Sequence, residues 1–175
     1  MALLTREPKP QAVVMTQNNA SQPFIVVGVD GSESSLDALR WAAAQAKLTN
    51  RVLKIVSSWH WPASFLLAPE WPLETDPNQR AKESLADVIE KVLGPAPGIE
   101  IEQFVFEGHP VPLLVDFAAD ADLLVVGSRG HGAFTGMMIG SVSQHCLTHA
   151  KCPVVVVRHD CVAPSAGSKD EGGVQ

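Results

Sequence analysis

Three runs in this chain are apolar almost without interruption: Phe24-Ile25-Val26-Val27-Gly28-Val29, Leu123-Leu124-Val125-Val126 and Val154-Val155-Val156-Val157. A strand that is apolar on both faces must be covered on both faces. That points to a parallel sheet with helices packed on each side. The segments between the runs carry a different period. After Ser34-Ser35, which could cap it, Leu36, Leu39, Ala43 and Ala46 recur at helical spacing and predict a helix to about Lys47. Arg51–Ser58 reads as a second strand. Gln79–Leu93 reads as a helix with Leu85, Val88, Ile89 and Val92 on one face, stopped by Gly94-Pro95. Ile99–Phe106 alternates like a half-buried strand, and Val111–Ala119 follows Pro110 as a short helix. Asp122–Val126, Gly140–His149 and Pro153–Arg158 complete the series as strand, helix and strand. Five strands and four helices in this order predict an α/β fold, a doubly wound open parallel sheet. Right-handed crossovers bring the carboxyl ends of the strands to one edge, and a ligand is expected there, where the strand order reverses.

One domain of 23–158 accounts for the ordered body, and a chain of 175 residues, 46% hydrophobic, can bury a sizeable core. The flanks 1–22 and 159–175 are expected to be disordered tails, because their composition cannot offset the entropy of ordering. The first lacks the apolar segment of a secretory signal, and no apolar run approaches the roughly 18 residues of a membrane span. The net charge of −6 argues against a nucleic-acid or anionic-membrane surface, which would need clustered positive charge. A cytoplasmic protein is expected. Cys146, Cys152 and Cys161 lack CxxC spacing and read as free thiols. A Trp- and Pro-rich insert, 59–78, follows the second strand and holds three of the four tryptophans. Loops of this length are often lids or interfaces; the plainer reading is a surface loop packing its own aromatics.

The fourth strand runs into Gly127-Ser128-Arg129-Gly130, and Gly140-Ser141 then opens a helix. Gly127 and Gly130 would let the backbone turn sharply and offer N–H groups without obstruction by a Cβ. A helix start presents unpaired N–H groups and the positive end of the helix dipole, which favours phosphate. Ser141 and Ser143 would add hydroxyl donors. The loop is not a Walker A sequence, since no GxxxxGK[ST] is present, and it is not the dinucleotide fingerprint, which belongs on the first strand. The first strand instead ends at Asp30, whose carboxylate could accept hydrogen bonds from a ribose or base edge, or could simply cap the following turn. Together on adjacent strand ends, these signals favour a nucleotide.

The spacing Gly127-x2-Gly130-x9-Gly140-Ser141 after an apolar strand resembles the nucleotide motif of the universal stress proteins. The resemblance extends through "GSVSQH" and "HAKCPVVVVR" and back to "IVVGVDGSESSLDALRWA", covering about Phe24 to Arg158. It implies the Rossmann-like strand order 3-2-1-4-5 and ATP as ligand, with Mg2+ or Mn2+ on its phosphates. It places Asp30 beside adenine and ribose, flanked by Gly28 and Val29, and puts the backbone of Ser57 at the adenine. Val126 and Gly127 would form the ribose and base wall. Gly130, Gly140, Ser141, Val142 and Ser143 would bind phosphate, with Arg129 and His131 at variable positions of the motif. The same resemblance implies a two-fold homodimer through the edge strand 153–158, where a bare row of β-branched residues invites pairing.

Other constellations are weaker. His145 and His149 could share a metal, but no third ligand is placed near them, and solvent-side or capping roles are the commoner case. His60 could point at the pocket, and His109-Pro110 opens a helix after Gly108. Glu100 and Glu102 read as a solvated strand face. No lysine or general base is placed to drive fast chemistry. The expected function is therefore an ATP-binding stress-response sensor or regulator with at most weak hydrolysis. Two alternatives stay open: a slow ATPase or phosphoryl-transfer enzyme using the same pocket, and a dimeric partner-binding module working through 59–78.

Overall fold

A computed structural model describes residues 22–60, 76–131 and 139–159. Apart from Gln22 and His159, the two expected tails lie outside the described residues, as does most of the insert. Of the insert, Trp59 closes a strand, and Pro77 and Asn78 already belong to a helix.

Among the described residues nine elements alternate: β1 (Phe24–Gly28), α1 (Glu33–Thr49), β2 (Val52–Trp59), α2 (Pro77–Leu93), β3 (Ile101–Glu107), α3 (Pro110–Phe117), β4 (Leu123–Gly127), α4 (Ser141–His149) and β5 (Val154–Val157). The strands form one parallel sheet in the order β3-β2-β1-β4-β5. β1 is central, with Val27 in register with Ile55 of β2 and Val125 of β4. The apolar runs are buried because this position requires it: Val26, Val27, Leu53, Leu124 and Val125 have no exposed surface. Among the described residues, no helix is long and apolar enough to cross a membrane.

Each face of the sheet has its own core. Ile25, Val27, Leu53, Ile55 and Val125 pack under α1 and α2, through Ala38, Leu39, Ala42, Ala46, Leu85 and Ile89. Val26, Val56, Leu124 and Val126 pack under α3 and α4, through Leu114 and Cys146. The buried stripe of α1 is turned from the expected one. Ala38 and Ala42 are fully covered, whereas Leu36 and Ala43 are half-buried. Small side chains let the helix axis lie close to the sheet, so the alanines, not every leucine, mark the packed face.

The helix starts follow local chemistry. Asp76 caps α2 by accepting from the Asn78 amide at 3.0 Å, with Pro77 at the first helical position. α1 is preceded by Ser32, not Ser34 or Ser35, which lie inside its first turn and are buried. Glu102 also departs from the expected solvated role. It is half-buried on the α3 side of the sheet, 3.5 Å from the Lys54 ammonium, which also lies 3.9 Å from the centroid of the Phe24 ring. Glu100 is exposed.

Candidate functional site

The carboxyl edge of the sheet is where β1 and β4 release their chains side by side. β1 passes through the buried Val29, whose amide donates to Val56 O at 2.9 Å, and reaches Asp30. β4 ends at Gly127, and Ser128 stays anchored, its amide donating to Val157 O at 2.7 Å. Arg129, Gly130 and His131 then lean towards the start of α1.

Serines that follow Asp30 hold this corner together. The Asp30 carboxylate accepts from the Ser32 amide at 3.0 Å and from its hydroxyl at 2.6 Å. The Ser35 hydroxyl donates to Ser32 O at 2.8 Å. The buried Ser34 hydroxyl donates to Arg129 O and accepts from the Arg129 amide at 3.3 Å. From the opposite side, His131 Nε2 lies 3.0 Å from Asp30 O; a carbonyl only accepts, so this ring nitrogen carries the proton. Partial desolvation pushes the Asp30 carboxyl up. The hydrogen bonds from Ser32, with smaller effects from Ser35 and the charge of His131, outweigh it, and the net shift is down from 3.8. Asp30 is thus a carboxylate, fixed in place, at neutral pH.

Two glycines are required by close approach rather than by a positive φ. Neither Gly127 nor Gly130 has positive φ. A Cβ on Gly127 would sit 2.7 Å from the Ser34 carbonyl carbon and 2.8 Å from its oxygen, so α1 could not dock. A Cβ on Gly130 would collide with Asp30 Oδ2. The chain does bend at Ser128, as expected, and glycine is selected on either side of the bend by crowding.

The amides of this region divide into two groups. Those of Ser128 and Arg129 are used as above, and that of Gly140 donates to Ser128 O at 2.7 Å. The hydroxyl expected of Ser143 as a ligand donor is also taken. Ser143 is buried, and its Oγ donates to Gly127 O at 2.5 Å, tying α4 to the end of β4. Among the described residues, the amides of Gly130, Ser141, Val142 and Ser143 have no acceptor, and Gly140 provides no side-chain cap. They form the free donor set, the last three at the positive end of α4.

The remaining expected residues fall around this edge. Gly28 ends β1, and the buried Val126 precedes the last residue of β4. Ser57 is half-buried on β2, in register with Val105. Arg129 is exposed beside the free amides. His60 and His109 stack with ring centroids 6.1 Å apart. His145 and His149 stack on the outside of α4, each Nδ1 about one hydrogen bond from the carbonyl four residues earlier, at 3.1 and 3.0 Å. No group of three or more His, Cys, Asp or Glu able to hold a metal occurs among the described residues. Residues that the sequence reading missed are Ser32 and Ser34; the serine cluster in "DGSESS" is their signal, but it reads first as a helix cap. A cavity of about 340 Å3 lies at the opposite, amino edge, lined by residues such as Gln22, Asn50, Arg51 and Glu100. It lies at the end of the sheet opposite the strand exits.

A model of the universal stress protein family matches residues 24–158, the whole of the sheet and its helices. The chain belongs to the universal stress protein family. A universal stress protein of Mycobacterium tuberculosis is 34% identical over 156 residues, 86% of this chain and 52% of the relative. One of Mycolicibacterium smegmatis is 32% identical over 149 residues, 81% of this chain and 50% of the relative. The chain therefore spans about half the length of these curated relatives. Among solved structures, a universal stress protein in complex with cAMP is 28% identical with a TM-score of 0.56, over 79% of this chain and 98% of that one. A universal stress protein of Archaeoglobus fulgidus in complex with dAMP is 27% identical with a TM-score of 0.55, over 77% and 97%.

Proposed function

We propose that this universal stress protein binds an adenine nucleotide, ATP in the first instance, at the carboxyl edge between β1 and β4, and acts as a nucleotide-responsive regulator. The observation that carries the reading is the donor set: four amides without acceptors among the described residues, beside a fixed carboxylate. In this reading Gly130, Ser141, Val142 and Ser143 donate main-chain N–H groups to phosphate, where a helix start favours negative charge. Gly140 shapes the approach to α4. Asp30 accepts from the ribose or base, with Gly28, Val29 and the Ser57 backbone beside it, and Val126 and Gly127 form the wall behind. Arg129 is placed to add charge at the rim. Mg2+ or Mn2+ enters on the phosphate oxygens. Solved family members in complex with cAMP and dAMP support an adenine-bearing ligand.

The reading includes a two-fold homodimer. Among the described residues β5 is an outer strand that pairs with β4 alone, and Val154, Val155 and Val156 are half-buried along it. Sedimentation equilibrium should return twice the chain mass of 18.7 kDa; the mass of a single chain would contradict pairing through this edge. The nucleotide is tested by calorimetric titration with ATP, AMP and cAMP in the presence of magnesium. Saturable binding of at least one is expected. Absence of binding by all three at millimolar concentration would contradict the reading. Phosphate release followed over hours separates a regulator from a slow ATPase.

A further inference from the structure

We propose that Ser34 is a positioning residue for the phosphate-binding amides, acting by fixing the peptide plane between Arg129 and Gly130. The inference rests on the nucleotide reading above and adds to it a side chain that does not itself touch the ligand.

Ser34 is 5% exposed and sits in the first turn of α1, yet its hydroxyl is spent on the loop after β4. A hydroxyl has one proton and can accept as well. Here the proton goes to Arg129 O and a lone pair takes the Arg129 N–H, so both main-chain groups of that residue are held by one side chain. Ser32 Oγ also lies 3.2 Å from Arg129 O, but its single proton is closer to Asp30 Oδ1, at 2.6 Å. The orientation of the Arg129 carbonyl therefore depends chiefly on Ser34.

The next amide follows from this by covalent geometry. A trans peptide points its C=O and N–H in opposite directions, and no described peptide is cis. With Arg129 O turned towards α1, the Gly130 N–H faces away from α1. The start of α4 adjoins this peptide: Gly130 N is only 3.8 Å, and Arg129 Cα 3.5 Å, from where a Cβ of Gly140 would be. The free amides of Ser141, Val142 and Ser143 begin immediately beyond Gly140. If the 129–130 peptide turned over, it would present a carbonyl oxygen in place of a donor and repel an anion.

Glycine makes that reversal easy. Asp30 leaves no room for a side chain at 130, and a residue without Cβ has wide backbone freedom. The same crowding that selects glycine thus removes the usual restraint on the peptide. Ser34 supplies it instead, and Gly127, by lacking a Cβ, lets Ser34 come close enough to do so.

The test compares ATP with adenosine, which shares the base and ribose but lacks phosphate, by calorimetry on the full chain. Ser34→Ala should weaken ATP by about tenfold, the scale of one hydrogen bond to a charged group, and leave adenosine within about twofold. Ser34→Thr, which keeps the hydroxyl, should restore ATP. If the alanine variant does not fold, Ser34→Cys fills the same space with a weak donor and should give the same split. Equal ATP affinity in parent and Ser34→Ala would overturn the inference, as would proportionate loss of both ligands. A parent that binds neither ligand would instead overturn the nucleotide reading, and the positioning role with it.

Discussion

Gly127 and Gly130 are separated by two residues and lack a side chain for different reasons, so their replacement should have different effects. At Gly127 an added methyl meets the main chain of Ser34, which cannot step aside. Gly127→Ala should destabilise the fold by about 1–3 kcal/mol, as overpacking does, measured by chemical denaturation. At Gly130 the obstacle is the far end of the Asp30 side chain, which can yield only by loosening its hydrogen bonds to Ser32. Gly130→Ala should cost about 1 kcal/mol, the scale of a hydrogen bond to Ser32 that Asp30 must give up, and less than Gly127→Ala. It should nonetheless lose nucleotide affinity, because Asp30 is displaced. Asp30 also has a pH signature. Its carboxyl is lowered from 3.8 on folding, so its stabilising effect is present above that value and disappears as pH falls through the lower, folded-state value. Asp30→Asn should therefore flatten the fall of folding stability below pH 3.8 and leave the slope at higher pH unchanged; an unchanged acid slope would contradict the Ser32–Asp30 bonds. The glycine spacing and the position of Asp30 are both legible in the sequence. The part played by Ser34 is not, because it depends on bringing residue 34 against residue 129, and a serine in the first turn of a helix looks like a cap.

At the scale of elements, the strands and helices of the sequence reading recur in the structure with ends moved by one or two residues. The reason is physical: strands apolar on both faces admit few alternatives to a covered parallel sheet. Helix α1 is where pattern misleads. Leu36 carries the period but is only half-covered, while Ala38 and Ala42 are sealed against the sheet. Leu39 is the large side chain of that stripe with no exposed surface. Leu39→Ala should cost about 2–5 kcal/mol through lost burial and the cavity left behind, read from the denaturation midpoint. On α4, burial and the nearby Cys152 push the Cys146 thiol up to about 11. Cys146 should resist iodoacetamide at pH 8 in the native protein and react once unfolded, since alkylation needs the thiolate. Fast native labelling of the peptide containing Cys146 would show that α4 does not seal the core as described.

For the whole molecule, the organising fact is that the two edges of one sheet differ in chemistry. At the amino edge, Arg51 pairs with Asp122 at 2.7 Å beside the cavity of about 340 Å3, where the polar groups are spread and partly satisfied by one another. At the carboxyl edge, a fixed carboxylate faces amides that have no acceptor among the described residues. The strand order makes this asymmetry, because crossovers place the β1 and β4 exits side by side. The measurement that tests this most directly is amide NMR of the 15N-labelled protein titrated with ATP and magnesium. The resonances of Gly130, Ser141, Val142 and Ser143 should move together and saturate, while those of Asn50, Arg51 and Glu100 stay in place. Saturable shifts confined to the amino edge, or none at those four amides, would contradict it.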